Sequence, residues 1–128
     1  MIHHELTSKI LSACFEVSNG LGNGFLESVY EKALLIALRD KGLQAENQVR
    51  LYVVFRGECV GEFFADIVVE NKILLELKAV KQLAPEHKAQ IINYLKASGM
   101  EVGLLLNFAK PELEYKRFLN QFNKDHTD

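Results

Sequence analysis

Residues 63–78, FFADIVVENKILLELK, constrain this chain more than any other stretch. Two apolar runs of strand length flank Glu70, Asn71 and Lys72, and charges interrupt both: Asp66 in the first, Glu76 and Lys78 in the second. A strand interior rarely carries a charge, because an ionised group taken out of water is costly unless it is paired. Strand side chains alternate with period 2, so Glu76 and Lys78 share one face while Leu75 and Leu77 share the other. If Glu70, Asn71 and Lys72 close a hairpin, Val69 faces Ile73, and counting outward sets Asp66 opposite Glu76. A two-residue turn would instead put the acids on opposite faces. Asn71 suits the odd-numbered loop, which needs a residue at positive φ. Two adjacent carboxylates repel each other, which serves a core badly and a divalent cation well. The alternative is a pair of charges on a solvated sheet face, with Lys78 as an ion-pair partner. The first arrangement predicts both carboxylates and the Lys78 ammonium on one face, turned toward the helix that bears Glu27.

A length of 128 residues with 48% apolar and 25% charged side chains suits a single domain over 1–128, with the polar tail 123–128 expected to be loose. No apolar run approaches the ~18 residues that a membrane span needs, and the first thirty residues carry polar and charged groups throughout, so the expectation is a cytoplasmic protein with no membrane association. Cys14 and Cys59 have no CxxC or Cys/His spacing and read as two reduced, buried thiols. His3, His4, His87 and His126 form neither a metal nor a triad pattern. The net charge of -2 argues mildly against tight nonspecific duplex binding. It leaves nucleic acid open, because bound metal ions offset the charge of a carboxylate site. Lys81, Lys88 and Lys96 could form a basic rim, although a solvated helix face explains Lys88 and Lys96 equally well.

Helical spacing of Ile10, Ala13, Cys14, Val17 and Leu21 predicts a first helix over about residues 6–21, ending in the glycine-rich turn 20–24. A second helix carries Leu26, Val29, Tyr30, Ala33, Leu34, Ala37 and Leu38 on its apolar side and closes at Lys41-Gly42. Extended runs over 48–55, 60–69 and 73–80 read as a meander, with turns at 56–58 and 70–72. Pro85 opens a third helix to about Ser98, and the almost continuously apolar run 102–108 suits a strand buried on both faces. Residues 73–108 are therefore a β-α-β crossover with parallel, right-handed geometry. A final helix is expected from Pro111, carrying Leu113, Phe118, Leu119 and Phe122. The order α-α-β-β-β-α-β-α gives an α/β fold with a mixed four-stranded sheet flanked by helices.

This order, with an aspartate on the second strand and Glu-x-Lys on the third, resembles the core of the PD-(D/E)xK (restriction-endonuclease-like) nuclease superfamily. Gly24-Phe25-Leu26-Glu27-Ser28-Val29-Tyr30 is similar to the GxxExxY signature of one small branch of that superfamily. The likeness runs from about Leu6 to Phe118 and is specific in combination. Ala65 stands where the superfamily name has proline, which leaves the ligands intact.

The resemblance implies that Asp66 and Glu76 bind metal, that the Leu77 backbone carbonyl adds a ligand, and that Lys78 orients the attacking water and steadies the phosphate. It implies Mg²⁺ or Mn²⁺ as cofactor, as one or two ions. Glu27 borders the inward face of its helix, and an acid in a first turn also suits the macrodipole and a capping role, with Gly24 as N-cap and Glu27 at N3. The residues leave those readings even; the resemblance favours Glu27 as a third acid, binding metal directly or through water. Gln90 and Tyr94 lie four apart and share a helix face. The QxxxY they form also occurs in nucleases resembling phage lambda exonuclease, where Gln90 would act beside the catalytic acids and Tyr94 would contact phosphate or stack on a base. A Tyr packed at the helix-sheet interface with a solvated Gln is the equal alternative. Asn93 and Asn107 read as structural. The implied function is metal-dependent hydrolysis of phosphodiester bonds in DNA, or RNA. The alternative is a weak or inactive nuclease-fold module that binds nucleic acid or protein. A small phosphate-ester hydrolase fits less well, since no GxxxxGK loop is present. So short a domain offers little surface for duplex recognition, so a homo-oligomer or a larger protein assembly is a natural setting.

Overall fold

A computed structural model of the chain describes residues 2–121, so the expected loose tail and Phe122 lie outside the described residues. Helices α1 (His4–Leu21) and α2 (Glu27–Asp40) precede strands β1 (Ala45–Phe55), β2 (Glu58–Val69) and β3 (Ile73–Lys78). Helix α3 (Pro85–Ser98) then leads to β4 (Val102–Asn107) and β5 (Glu114–Leu119). The strands form one sheet in the order β1-β2-β3-β4-β5, parallel only between β3 and β4.

The expected final helix is instead the fifth strand, antiparallel to β4 from Val102↔Leu119 to Asn107↔Glu114. All six residues of β4 are buried, and an open edge beside such a strand would leave backbone N–H and C=O groups without partners. Covering that edge decides the conformation of 114–119 over its local spacing. Asn107 is structural as expected. Its Oδ1 accepts from the Val80 and Ala109 N–H groups, and its Nδ2 donates to the Val80 carbonyl and to Glu114.

Helices α1 and α2 cover one face and α3 the other. Ile67, Val69, Leu75 and Leu77 pack with Ile10 and Leu34 in the first layer. Val68, Leu74 and Leu105 pack with Ile91 and Leu95 in the second. Helix α3 approaches β4 so closely that a Cβ on Gly103 would lie 3.0 Å from Ile91 Cδ1. Its first turn is closed by His87, whose Nδ1 accepts from the Ala84 N–H at 2.9 Å. Cys14 is buried, which pushes its thiol pKa well up, but Cys59 is exposed, because the β1–β2 hairpin projects beyond the core.

That hairpin reverses its facing partway along. Ala45 packs toward α1 and α2 and Asn47 bonds Glu31 of α2, whereas Val49 and Leu51 pack toward α3. On β2, Ile67 lies in the first layer while Ala65 and Phe63 lie in the second. Residues two apart should share a face, so both strands turn over between 47 and 49 and between 65 and 67. The register runs Asn47↔Ile67 then Val49↔Ala65 and omits Gln48 and Asp66 between them. Gln48 sits there at φ 49, in the left-handed region. The acid of β2 therefore stands where the hairpin turns over.

Candidate metal and active site

The β2–β3 turn sets the register as counted. Val69 pairs with Ile73, Val68 with Leu74 and Ile67 with Leu75. Glu70 and Asn71 both take positive φ, at 53° and 56°, and the Lys72 N–H donates to the Val69 carbonyl at 2.9 Å. Asp66 and Glu76 are next in line, and there side chains replace the backbone ladder. The Asp66 N–H donates to Glu76 Oε2 at 2.7 Å, and the Leu77 N–H donates to Asp66 Oδ2 at 2.8 Å. Each strand thus lends a carboxylate to the other's backbone, which holds the two acids side by side.

Burial dominates their electrostatics. Glu76 is 2% exposed, and its pKa is pushed up to about 8, by burial first and by the neighbouring Asp66 second. Asp66 is also raised, chiefly by burial, with the Leu77 N–H working against the shift and Glu31 and Glu27 adding repulsion. Two acids held this close titrate as a pair, and near neutral pH they retain a proton between them. Neither carboxylate takes part in an ion pair within 4.0 Å among the described residues. The solvated pair salt-bridged by Lys78 is therefore not what this chain builds.

Lys78 shares the face of Leu74, the face of α3, because the alternation places it there. Its Nζ donates to Gln90 Oε1 at 2.8 Å, and Gln90 Nε2 donates to the Tyr94 hydroxyl at 3.3 Å. The expectation that this face turns toward the helix of Glu27 is corrected: α3 covers it, and α2 reaches the acids only from their flank. Tyr94 is buried, packs tilted against Phe63 with ring centroids 5.1 Å apart, and has its pKa raised by burial and then by Glu76 and Asp66. Tyr94 is packed at the helix-sheet interface, as the alternative reading had it, but Gln90 is bonded to Lys78 and to the Tyr94 hydroxyl instead of being solvated.

Helix α2 departs from the expected start. It begins at Glu27 with Leu26 as N-cap and no side-chain capping bond, so Gly24 is not the cap and Glu27 is not at N3. Glu27 is exposed and is the last-ranked influence on Asp66. One turn on, Glu31 bonds Asn47 and Gln48 and weighs more on Asp66. Sequence reasoning missed Glu31, although its i, i+4 spacing from Glu27 puts both on one side of the helix. Tyr30 secures the turn before α2. Its hydroxyl donates to the Gly22 carbonyl at 2.7 Å and accepts from the Phe25 N–H, and its ring stacks on Phe108 at 4.8 Å. Lys81 is exposed in the β3–α3 loop and Lys88 is half-buried. Lys88 precedes Gln90 by two, so they do not face the same way.

Among the described residues no group of three or more His, Cys, Asp or Glu side chains surrounds a common point. Asp66 and Glu76 are the paired side chains that could hold a divalent ion, and a backbone carbonyl such as that of Leu77 could join them. Two carboxylates completed by water and substrate oxygens are a usual complement for magnesium, and a buried acid beside a half-buried one, with no ion-pair partner within 4.0 Å among the described residues and Lys78 acting on both from farther off, is chemically suited to one. No helix of the described residues is long and apolar enough to cross a membrane.

A family model described as the PD-(D/E)XK nuclease superfamily matches residues 4–118. Among curated proteins nothing matches. Among solved structures, the crystal structure of SSO0001 is similar at TM-score 0.59 and 17% identity, covering 97% of this chain. The present chain spans 62% of the length of that one. An alkaline exonuclease (LHK-Exo) from Laribacter hongkongensis is similar at TM-score 0.55 and 10% identity, over 99% of this chain and 75% of that one. The same exonuclease in complex with dAMP gives TM-score 0.50 at 10% identity, over 94% and 86% of the two chains. At these identities the likeness is one of fold.

Proposed function

The chain belongs to the PD-(D/E)XK nuclease superfamily, and from that premise we propose that it hydrolyses phosphodiester bonds in DNA, or RNA, with the help of Mg²⁺ or Mn²⁺. The observation that carries this reading is the reciprocal bonding of Asp66 and Glu76 at the end of the β2–β3 ladder, buried and without an ion pair. The crystal structures of an alkaline exonuclease, one of them with dAMP, support nucleic acid as the substrate class. The GFLESVY turn into α2, with Glu27 three and Tyr30 six residues after Gly24, supports placing the chain in the GxxExxY branch.

In this reading Asp66, Glu76 and the Leu77 carbonyl would hold the cation, and Glu27 would reach it through water. A bound divalent ion supplies charge that polarises the scissile phosphate and acidifies nearby water. Lys78, aimed by Gln90, orients the attacking water and stabilises negative charge that grows on the phosphate. Tyr94 fixes Gln90 in turn and lies near enough to the acids to feel both. Lys81, exposed in the β3–α3 loop, neutralises a backbone phosphate beside the cut, whereas Lys88, which does not face the way Gln90 does, stays outside this reading. With few basic groups near the site, longer-range recognition falls to a second copy or a larger assembly.

The test is purified protein with labelled single- and double-stranded DNA and RNA, with Mg²⁺, Mn²⁺ or chelator, beside Lys78→Ala. Metal-dependent cleavage by the wild type that Lys78→Ala loses is the expected result. Wild-type protein that binds these substrates and cuts none of them with either ion over a pH range of about 6 to 9 would leave a binding module instead.

A further inference from the structure

We infer that Gln48 is a positioning residue for Asp66, anchored by Glu31, an assignment that rests on the nuclease reading above. Gln48 lies in the middle of β1, yet it takes φ 49 and drops out of the β1–β2 register together with Asp66. A non-glycine residue pays for that conformation, at about 1 kcal/mol, so something at this position opposes the cost. Its side chain supplies the reason. Gln48 Nε2 donates to Glu31 Oε1 at 2.9 Å and reaches Asp66 Oδ1 at 3.5 Å. Both targets are carboxylate oxygens, which only accept when ionised, so the amide is oriented with its NH₂ toward them. The two hydrogens of one NH₂ group thus serve two carboxylates and sit between their charges.

The remaining constraints on Asp66 make this contact consequential. Oδ2 accepts from the Leu77 N–H, which fixes one oxygen but leaves rotation about the side chain to set the other. Gln48 is the group that meets Oδ1. Glu31 is held from a second direction, since its Oε2 accepts from Asn47 Nδ2 at 3.1 Å. The path from the α2 helix to Asp66 Oδ1 therefore runs through Glu31 and Gln48. Outer partners that orient a ligand are typically worth ten- to a hundredfold in metal affinity.

Two substitutions separate this role from a backbone role. Gln48→Gly removes the amide and suits the positive φ, so it relieves strain. Gln48→Met keeps the length and the strain and removes only the hydrogen bonds. Mn²⁺ binding to the folded, full-length protein is measured by calorimetry, with melting in chelator and the Mn²⁺ dependence of cleavage alongside. The expected result is that Gln48→Gly melts within about 3 °C of wild type, while both variants bind Mn²⁺ about tenfold more weakly and need correspondingly more of it to cut. If the wild type binds Mn²⁺ and cleaves and both variants match it, the inference is overturned and the nuclease reading stands. If the wild type neither binds Mn²⁺ nor cuts, the nuclease reading falls and takes the inference with it. Should Gln48→Met fail to fold, Gln48→Gly alone decides, because its backbone is the more comfortable of the two.

Discussion

The two ends of the β2–β3 pair use the same two strands for opposite purposes. At the turn end, Val69↔Ile73, Val68↔Leu74 and Ile67↔Leu75 pair through the backbone, and their side chains fill the layers on both faces. At the other end the next residues are Asp66 and Glu76, whose carboxylates take over the backbone N–H groups. The first end gains stability from buried apolar area. The second gives stability up, since burial shifts both acids upward, with repulsion from Asp66 adding to the shift of Glu76 and repulsion from Glu31 and Glu27 to that of Asp66. The contrast teaches that the apolar end holds the acidic end in place, so that buried charge can persist where a cation and a substrate would offset it.

The sharpest way to break this comparison is to remove one group from the acidic end that carries no fold. Lys78→Met should lose cleavage by roughly a hundred- to a thousandfold, as for other single contacts made to a transition state, with melting little changed. Kinetics and a melting curve on the same preparation check it. Equal loss of stability would show that Lys78 belongs to the structural end after all. The apolar end should behave in the reverse way: Leu75→Ala should cost about 2–5 kcal/mol in denaturant unfolding, while the fraction that remains folded binds Mn²⁺ as the wild type does.

A smaller effect separates the ends by pH. Glu76 titrates at about 8 when folded, against an ordinary 4.5, so between those values the folded chain holds a proton that the unfolded chain has released. Stability from this group is therefore greatest below about pH 4.5 and falls as pH rises toward 8. Melting temperature in chelator should drop over that window in the wild type. Glu76→Gln should flatten the drop, and it should melt higher than wild type at pH 8. A metal-free profile that rises over the same window would contradict the burial of the pair.

The turn end was legible because it obeys short-range rules. Period-2 alternation and the 70–72 turn fix the register from Val69 outward, and with it the adjacency of Asp66 and Glu76. The Gln90–Tyr94 pair was legible in its i, i+4 helix spacing, but its bond to Lys78 on β3 was not. Other features depend on tertiary contacts that no local pattern carries. Residues 114–119 have spacing a helix could use, but β4 needed an edge partner. Which face of the sheet Lys78 looks toward follows from where the helices dock, which placed α3 and not α2 over it. Gln48 gave no sign of its left-handed backbone, and without that turnover Glu31 had no visible route to Asp66. Cys59 read as buried from residue type alone, before the projecting hairpin set its exposure.

The most direct test of the central claim, that Asp66 and Glu76 together hold a divalent cation, is calorimetric titration of Mn²⁺ at pH 7 in buffers of different ionisation enthalpy. Because the pair keeps a proton near neutrality and a metal binds the deprotonated form, binding should be stoichiometric and release close to one proton. Glu76→Gln should lose both the tight binding and the proton release. Wild-type protein that takes up no Mn²⁺, or a Glu76→Gln variant that binds it equally well with the same proton count, would contradict the claim.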